Sequence, residues 1–157
     1  MKIASIVKSQ KLKRAPVCTP DMTVFQAAVE IAALKVNALA VMEDECLIGI
    51  ISEQDIILCL ADSGCDFYHQ LVADWMTEDP VTCGAGTHCQ TALNLMAKND
   101  IRNLVVMSSG RLITLVSSKE VLAFMHENGI TQRGVFTSIG RSTPHSLHVP
   151  QPDALYV

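Results

Sequence analysis

The chain says one thing twice, and an internal repeat constrains a fold more than any local motif can. "LAVMEDECLIGIISEQDI", starting at Leu39, is matched by "LVVMSSGRLITLVSSKEV", starting at Leu104, an offset of 65. Upstream, "VCTPDMTVFQAA" from Val17 is matched by "VTCGAGTHCQTA" from Val81, an offset of 64, which implies one residue gained between the two blocks.

Each copy has the same local grammar. A short extended piece, Pro16 to Cys18 or Pro80 to Cys83, is followed by a capping box, Thr23-x-x-Gln26 or Thr87-x-x-Gln90. A helical face follows, through Ala27, Ile31 and Leu34 or through Ala92, Leu95 and Met96. Two apolar strands come next, joined by tight polar turns at Glu43–Glu45 and Ser108–Gly110, and a second helix starts at Ser52 or Ser117. The order is β-α-β-β-α, twice. One copy, at roughly 50 residues, buries too little surface to stand alone. The near-continuous apolar strands want cover on both faces. The expected fold is therefore mixed α/β (α+β), the two repeats packed with pseudo-two-fold symmetry. The expected layout is an N-terminal helix and linker over 1–14, repeat 1 over 15–62, a polar linker over 63–73, repeat 2 over 74–127 and an irregular tail over 128–157. "LVADWM" reads as a lead-in helix to the second copy, and "IASIV" as its counterpart for the first. The apolar tail end, Leu155 to Val157, reads as mobile or as docked on a partner subunit.

Composition narrows the function. Of 157 residues, 49% are apolar and 18% charged, more apolar than a small monomer needs, which points to burial against a second copy. A net charge of −4 offers no basic field for nucleic acid. The basic group Lys8, Lys11, Lys13 and Arg14 reads either as a solvated linker or as a phosphate-attracting edge. No apolar run reaches the roughly 18 residues of a spanning helix, and the N-terminus lacks a signal-peptide core. A cytoplasmic protein is expected, with its six cysteines as small core residues. Cys83, His88 and Cys89 lack the spacing of a metal site.

Ser52-x-x-Asp55 and Ser117-x-x-Glu120 are capping boxes, and as such need no further purpose. The same geometry suits a ligand. A strand ending at a helix N-terminus leaves backbone N–H groups and the positive dipole end for phosphate. A carboxylate one turn on can accept from two ribose hydroxyls. Gly49 lets another group approach the strand closely. Adenine fits between apolar edges such as Val17, Cys18 and Ala38.

These residues carry a resemblance. "TPDMTVFQAA", "NALAVMEDECLIGIISEQDI", "VADWMTEDPVTC" and "IRNLVVMSSGRLITLVSSKEV" together resemble a pair of CBS domains, the regulatory module named after cystathionine β-synthase, over roughly residues 15–126. The layout is similar to that of the small stand-alone tandem proteins of bacteria. The resemblance implies a disc-like pair that dimerises and binds AMP, ADP, ATP, NAD or S-adenosylmethionine, with no obligatory cofactor. Carried over by position, Asp55 would hold the ribose and Ser52 would sit near phosphate, next to Ile51. Val17 and Cys18 would frame the adenine, and Asn37 and Ala38 would line the pocket. In the second copy Arg102 and Asn103 hold that place, Arg102 as the best phosphate partner, with Ser117 and Glu120 as its cap. Departures from the family pattern are Gln54 for Arg, Thr114 for Gly, Asn103 for His and Glu120 for Asp. They favour the Asp55 cleft over the Glu120 cleft, and an AMP-like ligand over a triphosphate.

No hydrolase elbow, Walker loop, metal motif or acid–base pair argues for an enzyme. Two functions remain. One is a regulatory module that binds an adenosine compound and signals to a separate effector protein. The other is a CBS assembly or dimerisation module that binds none. Neither reading involves nucleic acid or a membrane.

Overall fold

The computed structural model describes residues 1–9 and 15–130; the basic residues Lys11, Lys13 and Arg14 and the tail from residue 131 lie outside them. Helix α1 (Ile3–Ser9) precedes the first repeat, β1 (Val17–Cys18), α2 (Val24–Leu34), β2 (Ala38–Glu43), β3 (Cys46–Ser52) and α3 (Glu53–Ser63). A 3-10 turn (Gly64–His69), α4 (Val72–Trp75) and β4 (Thr77–Glu78) connect to the second repeat. It comprises β5 (Thr82–Gly84), α5 (Cys89–Lys98), β6 (Asn103–Ser108), β7 (Arg111–Ser117) and α6 (Ser118–Glu127). The β-α-β-β-α order is present twice, as the repeat requires. The first sheet runs β1-β2-β3-β4 and the second β5-β6-β7. In each, the first pair is parallel across a helix and the next is an antiparallel hairpin.

The hairpins reproduce one another in detail. Asp44 and Glu45 have φ of 46° and 64°, and Ser109 and Gly110 have 50° and 76°. Positive φ at both central residues gives the primed turn whose twist matches that of the strands. Each hairpin also carries a register shift after the same position, Val41 in one and Val106 in the other.

The structural repeat is 65 throughout, which corrects the offset of 64 read upstream. Val17 pairs with Ala40 and Thr82 with Val105; Cys18 pairs with Val41 and Cys83 with Val106. The buried positions of α2, Val24, Ala27 and Ile31, fall on Cys89, Ala92 and Met96 of α5. No residue was gained between the blocks. The repeated Thr-x-x-Gln misled the alignment. Thr23 does form a reciprocal capping box with Gln26, but α5 starts one residue later than its sequence signal, on His88, with no side-chain cap. Gln90 turns instead to Asn94, donating through Nε2 at 3.2 Å. Burial won over capping here, because only the later start places Cys89, Ala92, Leu93 and Met96 in the core. On α2, Leu34 lies exposed rather than on the buried face.

The lead-in helices are exchanged between repeats. α1 does not cover the repeat that follows it; Ile3 and Ile6 lie in the second repeat's core with Cys83, Leu104, Val116 and Val121. α4 puts Val72 into the first core beside Val24, Leu39 and Ile51. The backbone bonds repeat too: Ile3 N–H donates to Thr87 O at 2.9 Å, and Val72 N–H to Met22 O at 2.8 Å. The connecting stretch is not a plain polar linker, since Phe67 is buried and its ring lies against Phe25 and Tyr68. A third cluster joins the sheets: Ala38 and Ala40 meet Val105 and Leu115. Among the described residues, no helix is long and apolar enough to cross a membrane.

Because Ile3 is fully buried in the far repeat, Ile3→Ala should destabilise the chain by about 2–4 kcal/mol in chemical denaturation, as a core truncation does. An N-terminal residue without tertiary contacts would change stability by less than about 0.5 kcal/mol.

Candidate functional site

The site is assembled from the two helix starts that follow the hairpins. At α3, Asp55 Oδ2 accepts from Ser52 N–H at 2.7 Å and from Ser52 Oγ–H at 2.6 Å, and Asp55 N–H reaches Ser52 Oγ at 3.5 Å. At α6, Glu120 Oε2 accepts from Ser117 N–H and Ser117 Oγ–H, both at 2.7 Å, and Glu120 N–H donates to Ser117 Oγ at 3.2 Å. The extra methylene of Glu thus leaves the box intact. Both serine hydroxyl protons point to a carboxylate. One further amide of each helix start is occupied: Glu53 N–H donates to Asn37 O at 3.1 Å, and Ser118 N–H to Arg102 O at 2.9 Å. The bare helix end therefore offers an anion less than an uncapped one would.

The surroundings of the two starts differ. A cleft of about 270 Å³ lies beside Ser117 and Glu120. Its apolar walls come from both repeats, Pro16, Val36 and Ala38 from the first and Leu115 and Ala123 from the second. Asn37, Asn103 and Thr114 add polar groups, and Lys35 and Lys119 line it as well. At about 270 Å³ it falls just short of the roughly 300 Å³ at which small-ligand sites usually begin. Thr114 and Ser117 are buried polar residues in its wall.

On the other side, Gly49 holds the position that Thr114 holds here. A Cβ on Gly49 would stand 2.6 Å from Met76 Sδ and 3.0 Å from the Thr77 carbonyl oxygen. The group that approaches Gly49 is thus the chain's own connection, where β4 pairs with β3.

Of the residues expected at a site, Asn37, Ala38, Asn103, Ser117 and Glu120 share this cleft. Val17, Cys18, Ile51, Ser52, Asp55 and Arg102 do not line it. Cys18 and Ile51 belong to the first core, and Val17 is half exposed at its strand. Arg102 is exposed, and it serves α6 through its backbone carbonyl. Lys35, Lys119, Thr114 and Leu115 were not anticipated. Lys119 occupies the place of Gln54 in the repeat, so the duplicated numbering could have found it. Lys35 has φ 55° at the C-cap of α2, a conformation invisible in the local sequence. Leu115 enters because the sheets pack face to face, which the repeat alone does not specify.

Burial pushes the Cys18 thiol from an ordinary 9.0 up to about 12. Burial also raises Cys59, Cys83 and Cys89, the Cys83 shift being offset in part by a bond with Thr87. A raised thiol pKa favours the folded state below the unfolded value and loses that advantage as pH climbs through the folded value. Stability is thus expected to fall as pH rises above about 9. Cys18 should resist iodoacetamide in the native chain at pH 8 and label once unfolded, as peptide mass mapping would show. Native labelling of Cys18 would contradict its burial.

The comparisons with known proteins agree with this fold. The family model for the CBS domain matches residues 10–62 and 72–127. The CBS domain-containing protein CBSX3, mitochondrial, of Arabidopsis thaliana is 33% identical over 117 residues, 71% of this chain and 57% of that protein. The first two curated relatives are spanned to only 22% and 57% of their length. Among solved structures, the CBS-domain protein ATU1752 of Agrobacterium tumefaciens has a TM-score of 0.75 at 24% identity, covering 79% of this chain and 98% of that one. The CBS domain pair of MJ0100, in complex with 5′-methylthioadenosine and S-adenosyl-L-methionine, has a TM-score of 0.70 at 19% identity, covering 82% and 98%. CBSX2 in complex with AMP has a TM-score of 0.66 at 20% identity, covering 80% and 97%.

Proposed function

The chain belongs to the CBS-domain family, and from that premise we propose that it is a non-catalytic regulatory module, one that binds an adenosine compound in the Ser117–Glu120 cleft and passes the signal to a separate effector protein. The observation that carries this reading is the cleft itself, whose walls come from both repeats. A ligand there touches both halves of the pair and can bias how they sit, by its differential affinity for the two arrangements.

The chemistry of the walls fits an adenosine monophosphate best. Adenine is a flat, weakly polar group, and Val36, Ala38, Leu115 and Ala123 give it apolar surfaces, with Asn37 and Asn103 nearby for its polar rim. The Glu120 carboxylate is the acceptor for ribose hydroxyls. Lys119 and Lys35 are the cations for a phosphate, in place of the amides that the cap already occupies. Two lysines and one acid balance a monophosphate better than a triphosphate. Solved relatives that hold AMP, or S-adenosylmethionine with methylthioadenosine, support the ligand class.

Thermal melting with AMP, ADP, ATP, NAD and S-adenosylmethionine tests it. A ligand at 100 times its Kd adds about 2.7 kcal/mol to stability, a rise of very roughly 5–10 °C for a chain of this size. AMP is expected to give the larger shift, with Glu120→Gln and Lys119→Ala each reducing it and Asp55→Asn leaving most of it. A shift abolished by Asp55→Asn alone would move the site to the other cleft. No shift with any adenosine compound would favour an assembly module.

A further inference from the structure

The last turns of α2 and α5 are the same backbone carrying opposite charges. Lys35 and its counterpart at the 65-residue offset, Asp100, have φ of 55° and 52°. The Lys35 N–H donates to Ala32 O at 3.3 Å, and the Asp100 N–H to Ala97 O at 3.4 Å. This left-handed conformation suits Asp, whose short polar side chain tolerates it, and is disfavoured for Lys. A cation beside a helix C-terminus does gain from the dipole. That gain is not what selects Lys35, because α5 keeps the same turn with an acid in its place. Lys119 is also out of place locally, since a cation in the first turn of α6 opposes the dipole there. Both lysines line the cleft.

The repeat supplies a built-in comparison for this charge. Among the described residues, the ionisable side chains of the cleft are Lys35, Lys119 and Glu120, a balance of one positive charge. Their counterparts at the 65-residue offset are Asp100, Gln54 and Asp55, with two negative charges. Arg102, in the place of Asn37, brings that second set to one negative charge. The cleft is therefore built from the positive member of the two sets. Adenine and ribose are uncharged, so this difference bears on what the ribose carries at its 5′ end. A phosphate monoester there carries about −1.5 to −2 at neutral pH. A free hydroxyl carries none, and a sulfonium with its amino-acid arm is a net cation. Opposite charges a few ångströms apart at a protein surface change an affinity by about tenfold.

We propose that Lys35 is the residue that sets which adenosine compound this cleft accepts. It selects a nucleotide with a 5′ phosphate over the uncharged nucleoside, and it disfavours an adenosyl sulfonium, whose cation meets a like charge. The proposal rests on the ligand reading above and extends it from the class of ligand to the residue that discriminates within the class. The chain holds Lys in a conformation better suited to Gly or Asp, which exchanges some stability for selectivity. Removing the charge with Gly also removes the strain. Discrimination is then lost without loss of stability, a combination that a merely structural residue does not show.

Calorimetric titration with AMP, adenosine and S-adenosylmethionine tests the proposal. The proteins compared are the unaltered chain, Lys35→Gly, Lys35→Asp and, as a control, Lys98→Asp, which makes the same charge change at the exposed end of α5. The unaltered chain is expected to bind AMP about tenfold or more tighter than adenosine, and S-adenosylmethionine most weakly. Lys35→Gly should lower the affinity for AMP by about tenfold and leave that for adenosine within about twofold. Its melting temperature without ligand should hold or rise by up to about 4 °C, because Gly adopts positive φ without strain. Lys35→Asp should bind S-adenosylmethionine more tightly than AMP, and Lys98→Asp should bind as the unaltered chain does. A Lys35→Asp chain that still prefers AMP would overturn the proposal. So would an equal loss of adenosine and AMP in Lys35→Gly, or a loss of AMP in Lys98→Asp as large as in Lys35→Asp. Each of these leaves the ligand reading in place, whereas a chain that binds none of the three compounds overturns both.

Discussion

The contact of Ala38 and Ala40 with Val105 and Leu115 is the constraint on which the rest of the molecule depends. It joins sheets that belong to different repeats. The alanines keep the first sheet's inner face shallow, so the larger Val and Leu of the second can reach it. The exchanged lead-in helices hold that contact in place: Ile3 is in the second core and Val72 in the first. Neither repeat has a complete core without residues from outside it. The cleft follows from this packing, because Ala38 and Leu115 are members of the inter-sheet cluster and also walls of the cleft.

Duplication supplies the architecture, and departures from it make the two sides unlike. Gly49 admits Met76 and β4 on one side, while Thr114 stands at the matching place on the other, in the wall of an open cleft. Gln54 is matched by Lys119, a cation at that cleft. α1, of 7 residues, packs on α6, whereas a shorter α4, of 4 residues, shares the cover of α2 and α3 with the 3-10 turn. Each difference is small. The open cleft lies at the second repeat's helix start, where the ligand is proposed to sit.

Much of the fold was legible in the sequence. The tandem order, both hairpin turns and the capping boxes at Thr23, Ser52 and Ser117 follow from local rules that tertiary packing reinforced. The Thr87 box failed because burial of Cys89, Ala92 and Met96 outweighs one capping interaction, and the offset of 64 failed with it. The site was less legible. Asn37, Ala38, Asn103, Ser117 and Glu120 were among the expected site residues, but the family departures had favoured the Asp55 cleft, whereas the open cleft lies at Glu120. Their grouping in one cleft depends on which loop of one repeat faces which helix start of the other. That is a property of the inter-sheet packing, and no local pattern encodes it. Cys18 reads as a pocket edge by family position, yet its side chain turns to the core, as strand alternation allows for either face.

The central claim is that the pair has one working cleft per chain, at Glu120. Isothermal titration calorimetry with AMP tests this through its stoichiometry. One molecule bound per chain, with the heat lost in Glu120→Gln and kept in Asp55→Asn, is the expected result. Two molecules per chain, or one whose heat disappears only in Asp55→Asn, would contradict the account.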